Sequence, residues 1–394
     1  MVPAVPPPPN GVREWPLVLA LGSAQTLAWA STYYLPALLA RPMASQLGVS
    51  VTTVWAAFTV ALLASAVLGP FAGRAIDRWG GRPVLMGTSV LFATGLAALS
   101  QVQGVVSLML AWLLLGIAMG SGLYEAAFAA LVRLKGSHAR ASITGITLIA
   151  GFASTVGWPL TAWVEGEWGW RAACLTWATL HLLVGLPLNA SVPRATPLPA
   201  PHESPAPAAS DGTAHQLPQT PPPRYTAWLL AYVFAATWFV STAMAAHLPQ
   251  LLVASGATLA TAVAIGALVG PAQVAGRLLE FGALRRFHPL WSARFAAAAH
   301  PLGVLCWMVW GPVAGTVFAL LHGAGNGILT IAKGTLPLVY FGPAGYGQRQ
   351  GLIMAPSRVA QAFAPLLFGL CIERWSSGAL WVSAGIGLSA LGAL

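Results

Sequence analysis

A few ionisable side chains stand inside long apolar runs, where a buried charge costs several kcal/mol and is kept for a function. They are Glu125, Arg277, Glu280, Lys333 and Arg358, with His181, His247, His300 and His322. Glu125 occurs in GSGLYEAAFAALVR, and Arg133, eight residues on, marks the end of that run. At 1.5 Å of helical rise per residue the carboxyl lies roughly 12 Å inside the boundary. A carboxyl at that depth can carry a proton; the competing reading is an ionised partner for an arginine on a neighbouring helix. Arg277 has Glu280 at i+3, whereas Arg358 has no acid within a helical turn. A guanidinium holds a carboxylate bidentately, so two of them on facing helices suit an anionic substrate. Lys333 is expected to snorkel to the membrane interface.

The neutral polar candidates are weaker. His322 and Asn326 are four apart and share one helix face, and His247 shares its run with Trp238, Ser241 and Thr242. Both histidines could touch substrate or carry protons near neutral pH, or simply bond a neighbouring helix. Gln25, Trp29, Ser31, Thr32, Tyr33 and Tyr34 form a polar, aromatic cluster too wet for a lipid face. It is expected to line a cavity, with an interfacial aromatic belt as the alternative for Tyr33 and Tyr34. Tyr124, beside Glu125, joins Trp29, Tyr34, His247, His322, Asn326, Arg277 and Arg358 as a candidate substrate contact.

The elements that must position these residues are membrane helices. The chain has 394 residues, 57% of them hydrophobic and 7% charged, with a mean hydropathy of +0.72, against roughly 25% charge in soluble domains. Runs of about 20 apolar residues are expected near 16–40, 51–72, 83–101, 105–131, 140–164, 170–190, 226–253, 258–284, 292–310, 312–335, 350–372 and 376–394. The fold class is therefore all-α, with twelve transmembrane helices in two pseudo-symmetric bundles of six. The expected organisation is a disordered tail over 1–14, a bundle over 15–192, a proline-rich linker over 193–224 and a second bundle over 225–394. Gly116 with Gly120, and Gly266 with Gly270, have the spacing of close helix contacts.

The net charge of +10 comes from basic residues dispersed between apolar spans, which argues for topology and against a nucleic-acid partner. Arg74, Arg78, Arg82, Arg133, Lys135, Arg140, Arg286 and Arg349 fall on one side, while Arg41, Arg171 and Arg374 fall on the other. The positive-inside rule then puts both termini and the linker in the cytoplasm. Cys174, Cys306 and Cys371 stand alone in apolar sequence and read as packing residues, without a disulfide framework or a metal site. No phosphate-binding glycine loop occurs, so an ion gradient is the expected energy source. No HExxH or GxSxG occurs either, which argues against an intramembrane enzyme, and no cofactor is indicated.

An internal repeat narrows the reading. GPFAGRAIDRWGGR ends the second run and GPAQVAGRLLEFGALRR the eighth, with Gly73, Arg74 and Asp77 echoed by Gly276, Arg277 and Glu280. Such symmetry suits two halves that rock against each other. The sequence resembles the major facilitator superfamily, whose loop signature is matched by Gly73, Asp77, Arg78, Gly80 and Arg82; position 81 is Gly where the family usually has a further basic residue. The resemblance implies a cytoplasmic latch in which the acid pairs with basic groups of the next loop, Glu280 serving the second half. It also covers the triplet Gly169, Trp170 and Arg171, and implies that spans one, four, seven and ten line a cavity.

Within the superfamily the chain looks more like monocarboxylate and oxalate/formate type carriers, in which cationic residues of spans eight and eleven meet the substrate. Drug exporters have a Gly-Pro junction followed by glycines in span five, whereas Gly157, Trp158 and Pro159 stand here. The expectation is a monomeric secondary transporter in a bacterial inner membrane, moving a small organic anion with protons by alternating access. The alternative is a proton-coupled exporter of drug-like compounds.

Overall fold

The computed structural model describes residues 14–195, 223 and 225–394. The expected leading tail and proline-rich linker lie outside the described residues apart from 14, 193–195 and 223, as do Arg13 and Arg224. No strand occurs among the described residues, whose helices form twelve spans. α1 comprises Glu14–Ser31 and Leu35–Leu47, α2 Val51–Trp79, α3 Gly81–Ser100, and α4 Val105–Gly122 with Tyr124–Lys135. α5 begins with Arg140–Ala150. The helix Ala153–Leu180 is two spans merged at Gly169 (φ 82°, ψ 167°), so α5 ends at 168, and α6 runs on from 170 through His181–Gly185 and Leu186–Ala190. The second half holds α7 (Thr226–Ala254), α8 (Leu259–Ala267 with Val269–Gly282), α9 (Pro289–Trp310), α10 (Gly315–Phe341), α11 (Tyr346–Trp375) and α12 (Ala379–Ala393). α1–α6 form one bundle and α7–α12 the other. Among the described residues six helical stretches are long and apolar enough to cross a membrane, including Val51–Trp79 and Thr226–Ala254.

The interruptions have local causes. Pro36 lacks an N–H and its ring crowds the carbonyl four residues back, so α1 opens at Thr32–Tyr34. Pro271 acts likewise on Ala267, where α8 breaks. In α4, Leu123 is extended (φ −82°, ψ −167°), and Ala126 N–H turns to the Leu123 carbonyl. The Gly122 carbonyl thereby loses its helical donor, and Gln25 Nε2 supplies one at 2.7 Å.

Close packing replaces hydrophobic driving force between membrane helices. A Cβ on Gly116 or Gly120 would strike the backbone of Ala61 or Ser65 in α2, so this pair makes the expected contact. Gly266 and Gly270 do not: nothing lies within 4 Å of a Cβ there. Their role falls to Gly276, Gly323 and Gly327, which bring α8 and α10 backbone to backbone. The spacing motif was present, but the face of α8 that meets α10 is formed by Val269, Gln273 and Gly276.

The bundles meet at the end where the basic residues collect. There α2 lies along α11, with Gly73 against Gly347 and Pro70 against Gly351. Asp77 caps α11, its Oδ1 accepting from Gly347 N–H and its Oδ2 from Gln348 N–H, both at 2.9 Å. The pseudo-symmetric corner joins α8 to α5, where Arg140 Nη2 pairs with Glu280 Oε1 at 3.0 Å. The latch therefore differs from the expectation at both corners: the Asp77 carboxylate spans the seam between bundles and binds backbone N–H groups of α11, and Glu280 spans it to Arg140 of α5. Oriented N–H groups at a helix N-terminus are a natural anion site. Arg78 lies over the Trp79 ring at 5.7 Å, and Arg82 follows in the first turn of α3. Gly80 supplies the φ of 85° that the reversal between α2 and α3 requires. Gly81 packs on Ala130 so closely that no side chain fits, which explains the missing basic residue.

Asp77→Asn keeps the size but replaces one acceptor oxygen with a donor facing an N–H. It should loosen this seam, read as faster modification of a cysteine placed at Ile143, which is fully buried; unchanged reactivity would show that the cap does not hold the seam.

Candidate substrate site

The seam opens at mid-depth onto an aromatic cluster organised by Trp29. Its ring centroid lies 4.9 Å from Tyr124, 5.1 Å from Tyr33 and 6.4 Å from Tyr34. Trp238 of α7 lies parallel to it at 6.4 Å with 6° between planes, so the cluster spans both bundles. The opening in α1 places Tyr33 and Tyr34 beside Trp29 in this cluster.

Two charged groups meet at the edge of this cluster. Arg358 Nη2 donates to both oxygens of Glu125, at 2.9 and 3.1 Å, joining α11 to α4 across the seam. The break at Leu123 puts Glu125 in the first turn of a new helix segment, where the helix dipole favours an anion. Arg358 also donates from Nη1 to Gln361 Oε1 at 3.1 Å, Gln361 donates to Tyr33 at 3.3 Å, and the guanidinium lies 5.9 Å from the Trp29 ring. Of the two readings of Glu125, the structure shows it engaged with an arginine.

Lys333 overturns its expectation. It is 3% exposed, its Nζ sits 3.9 Å above the Trp238 ring, and no hydrogen-bond acceptor reaches it among the described residues. The reason lies in its position: α10 continues eight residues to Phe341, about 12 Å at helical rise, beyond the reach of a lysine side chain to the interface. The same arithmetic that singled out Glu125 singles out Lys333. Arg277, also buried, donates from Nη1 to the Thr147 carbonyl at 3.1 Å, and its Nε has no partner. The break in α5 makes room for it, because a Cβ on Gly151 would collide with this guanidinium. Lys333 stands within electrostatic reach of Glu125, Arg358 and Arg277.

Other candidates lie elsewhere. His247 is away from the aromatic cluster, bonded through Nε2 to the Pro365 carbonyl at 2.9 Å. His322 and Asn326 do share a face, but it lines a separate cavity inside the second bundle. Trp238 and Gln361 were not singled out as contacts; the sequence signal for Trp238 was only its place in the same span as His247. No group of three or more metal-ligating side chains occurs among the described residues.

Two six-helix bundles closed at one end over a charged, aromatic site at mid-depth define a membrane carrier. The family model of the Major Facilitator Superfamily matches residues 21–329, and the chain belongs to that superfamily, a family of multi-pass secondary transporters. Solved structures share the fold. The human organic anion transporter MFSD10 (TETRAN) is 17% identical with a TM-score of 0.72, over 98% of this chain and 100% of that one. The proton:xylose symporter XylE is 12% identical, TM-score 0.72, over 97% and 95%. FucP in its outward conformation is 15% identical, TM-score 0.70, over 97% and 98%.

Proposed function

We propose that the chain moves a small organic anion, a carboxylate, together with protons. One observation carries the reading: a single carboxylate, Glu125, stands among three buried basic side chains, Arg358, Lys333 and Arg277, and Lys333 Nζ has no hydrogen-bond acceptor. A buried amine with an aromatic ring but no hydrogen-bond acceptor beside it is costly, and a substrate carboxylate supplies the missing acceptor. The fold itself is neutral on this point, since it serves an organic anion transporter and a xylose symporter alike.

In this mechanism the substrate carboxylate settles between Lys333 and Arg358, competing with Glu125 for the guanidinium. Glu125, once displaced, takes a proton, so anion and proton cross together. Trp29, Tyr34, Tyr124 and Trp238 exclude water from the bound substrate. Separation of the Asp77 and Glu280 corners then opens the basic end. By the positive-inside rule that end faces the cytoplasm, and the composition suits a bacterial inner membrane.

The test is uptake of radiolabelled monocarboxylates into proteoliposomes. A hydrogen bond to a charged group contributes about 1.5–3 kcal/mol, so Lys333→Gln should weaken apparent affinity roughly ten- to a hundredfold, with partial recovery in Lys333→Arg. An unchanged KM in Lys333→Gln would sink the reading. The aromatic cluster favours the exporter alternative; proton flux driven by lipophilic cations and by no carboxylate would establish it instead.

A further inference from the structure

Several buried polar atoms around the substrate site have no hydrogen-bond partner among the described residues. Trp29 Nε1, Trp238 Nε1 and Arg277 Nε are N–H groups without an acceptor, and Lys333 Nζ and Thr242 Oγ1, the latter four residues along α7 from Trp238, are unpartnered as well. An indole or guanidinium N–H can only donate, and the one carboxylate there, Glu125, already accepts twice from Arg358. A buried donor left unmade is costly. The site is short of acceptors, so what it binds must bring them.

A single carboxylate does not reach them all. Lys333 Nζ lies over the face of Trp238, 3.9 Å from the ring centroid, and the Arg358 guanidinium over that of Trp29 at 5.9 Å. A carboxylate held between these two basic groups lies above the rings, whereas an indole N–H points outward in the plane of its ring. Each N–H therefore needs a different oxygen, at the ring edge. Trp112 Nε1 is unpartnered too; what sets Trp29 and Trp238 apart is the basic group stacked on each. Trp29 belongs to the first bundle and Trp238 to the second, their rings parallel within 6° at 6.4 Å. Both N–H groups are shut from solvent here, and a substrate that enters between the bundles parts the rings and uncovers them.

We propose that Trp29 and Trp238 read a second oxygen on the substrate through their indole N–H groups, so that the carrier selects a carboxylate bearing a further acceptor, an oxo group or a second carboxylate, over a plain aliphatic acid. The inference rests on the proposed function, in which Lys333 and Arg358 hold the first carboxylate. A neutral hydrogen bond is worth about three- to tenfold in affinity, so two of them set a preference of about ten- to a hundredfold.

The experiment gives the full-length chain in proteoliposomes three radiolabelled acids of equal carbon number, butyrate, 2-oxobutyrate and succinate, which differ in the second oxygen group, and measures kcat/KM for each. One of the latter two should exceed butyrate by about ten- to a hundredfold, and which one does identifies the group. Trp29→Phe and Trp238→Phe keep a ring for stacking and remove the N–H. Each should lower that ratio about three- to tenfold, whatever happens to the rate itself, whereas Lys333→Gln should weaken uptake of all three acids and leave the ratio. A wild type that takes up the three acids alike overturns the indole reading and leaves the proposed function standing, as does a preference that survives both phenylalanine variants. Uptake of no carboxylate, from this set or from the monocarboxylate panel, overturns both. Should neither variant assemble, resonance Raman difference spectra of the wild type decide: a shift of the indole N–H band to its hydrogen-bonded position with the preferred acid and not with butyrate supports the reading, and no such shift overturns it.

Discussion

Arg358→Ala should abolish the proposed carboxylate transport and lower stability, because it removes one half of a buried ion pair and leaves the other half in place. Arg358 is 5% exposed at its side chain and Glu125 17%. Breaking such a pair from one side costs about 3–5 kcal/mol, most of it the penalty on the remaining charge. The structural and functional components separate in a second variant. Glu125→Gln with Arg358→Gln removes both charges, keeps a hydrogen-bonded pair across the seam and should recover most of the thermal stability. It should still fail to transport, since the guanidinium proposed to hold the substrate is gone. Recovery of transport in that double variant would confine Arg358 to bridging α4 and α11. Glu125→Gln alone frees Arg358: carboxylate exchange should persist while proton movement with substrate falls. Measuring melting temperature, exchange and proton flux on the three variants together distinguishes these roles.

How far the site could be read in advance depends on what set each residue's place. Glu125 and Arg358 were legible because charges in apolar runs are costly and few. Their contact was not, since 233 positions separate them and only the packing of α4 against α11 brings them together. Lys333 was misread because span ten continues past Lys333 to Phe341, while the apolar run alone suggested an end near 335. Asp77 was recognised from its motif, yet its ligands are backbone N–H groups, which leave no mark in a sequence. The twelve spans were visible because hydropathy reports length directly. The breaks at Leu123 and Gly151 were not, and they place Glu125 at a helix start and open the space that Arg277 fills. Glycine spacing identified one of two contacts: Gly116 and Gly120 face α2, whereas Gly266 and Gly270 face open space.

Gly73→Val should trap the carrier with its basic end open. A Cβ at position 73 would overlap the carbonyl of Gly347, and Gly347 and Gly351 are pressed in turn against the backbones of Gly73 and Pro70. A flexible side chain could yield to such an intrusion; two helix backbones held by the Asp77 cap cannot. Overpacking of this kind costs about 1–3 kcal/mol, and it falls only on the state in which α2 and α11 are in contact. Every 1.4 kcal/mol shifts a two-state population about tenfold, so the closed form should be depleted roughly ten- to a hundredfold. The readout is a cysteine at Ile143, which packs on Gly334 across the seam, in a background with Cys306 and Cys371 replaced. Its modification from the basic side should accelerate by that factor in Gly73→Val, and transport should stop although substrate still binds from that side. If Ile143→Cys stays protected and transport continues, α2 and α11 have room to slide, and the glycine contact does not govern closure.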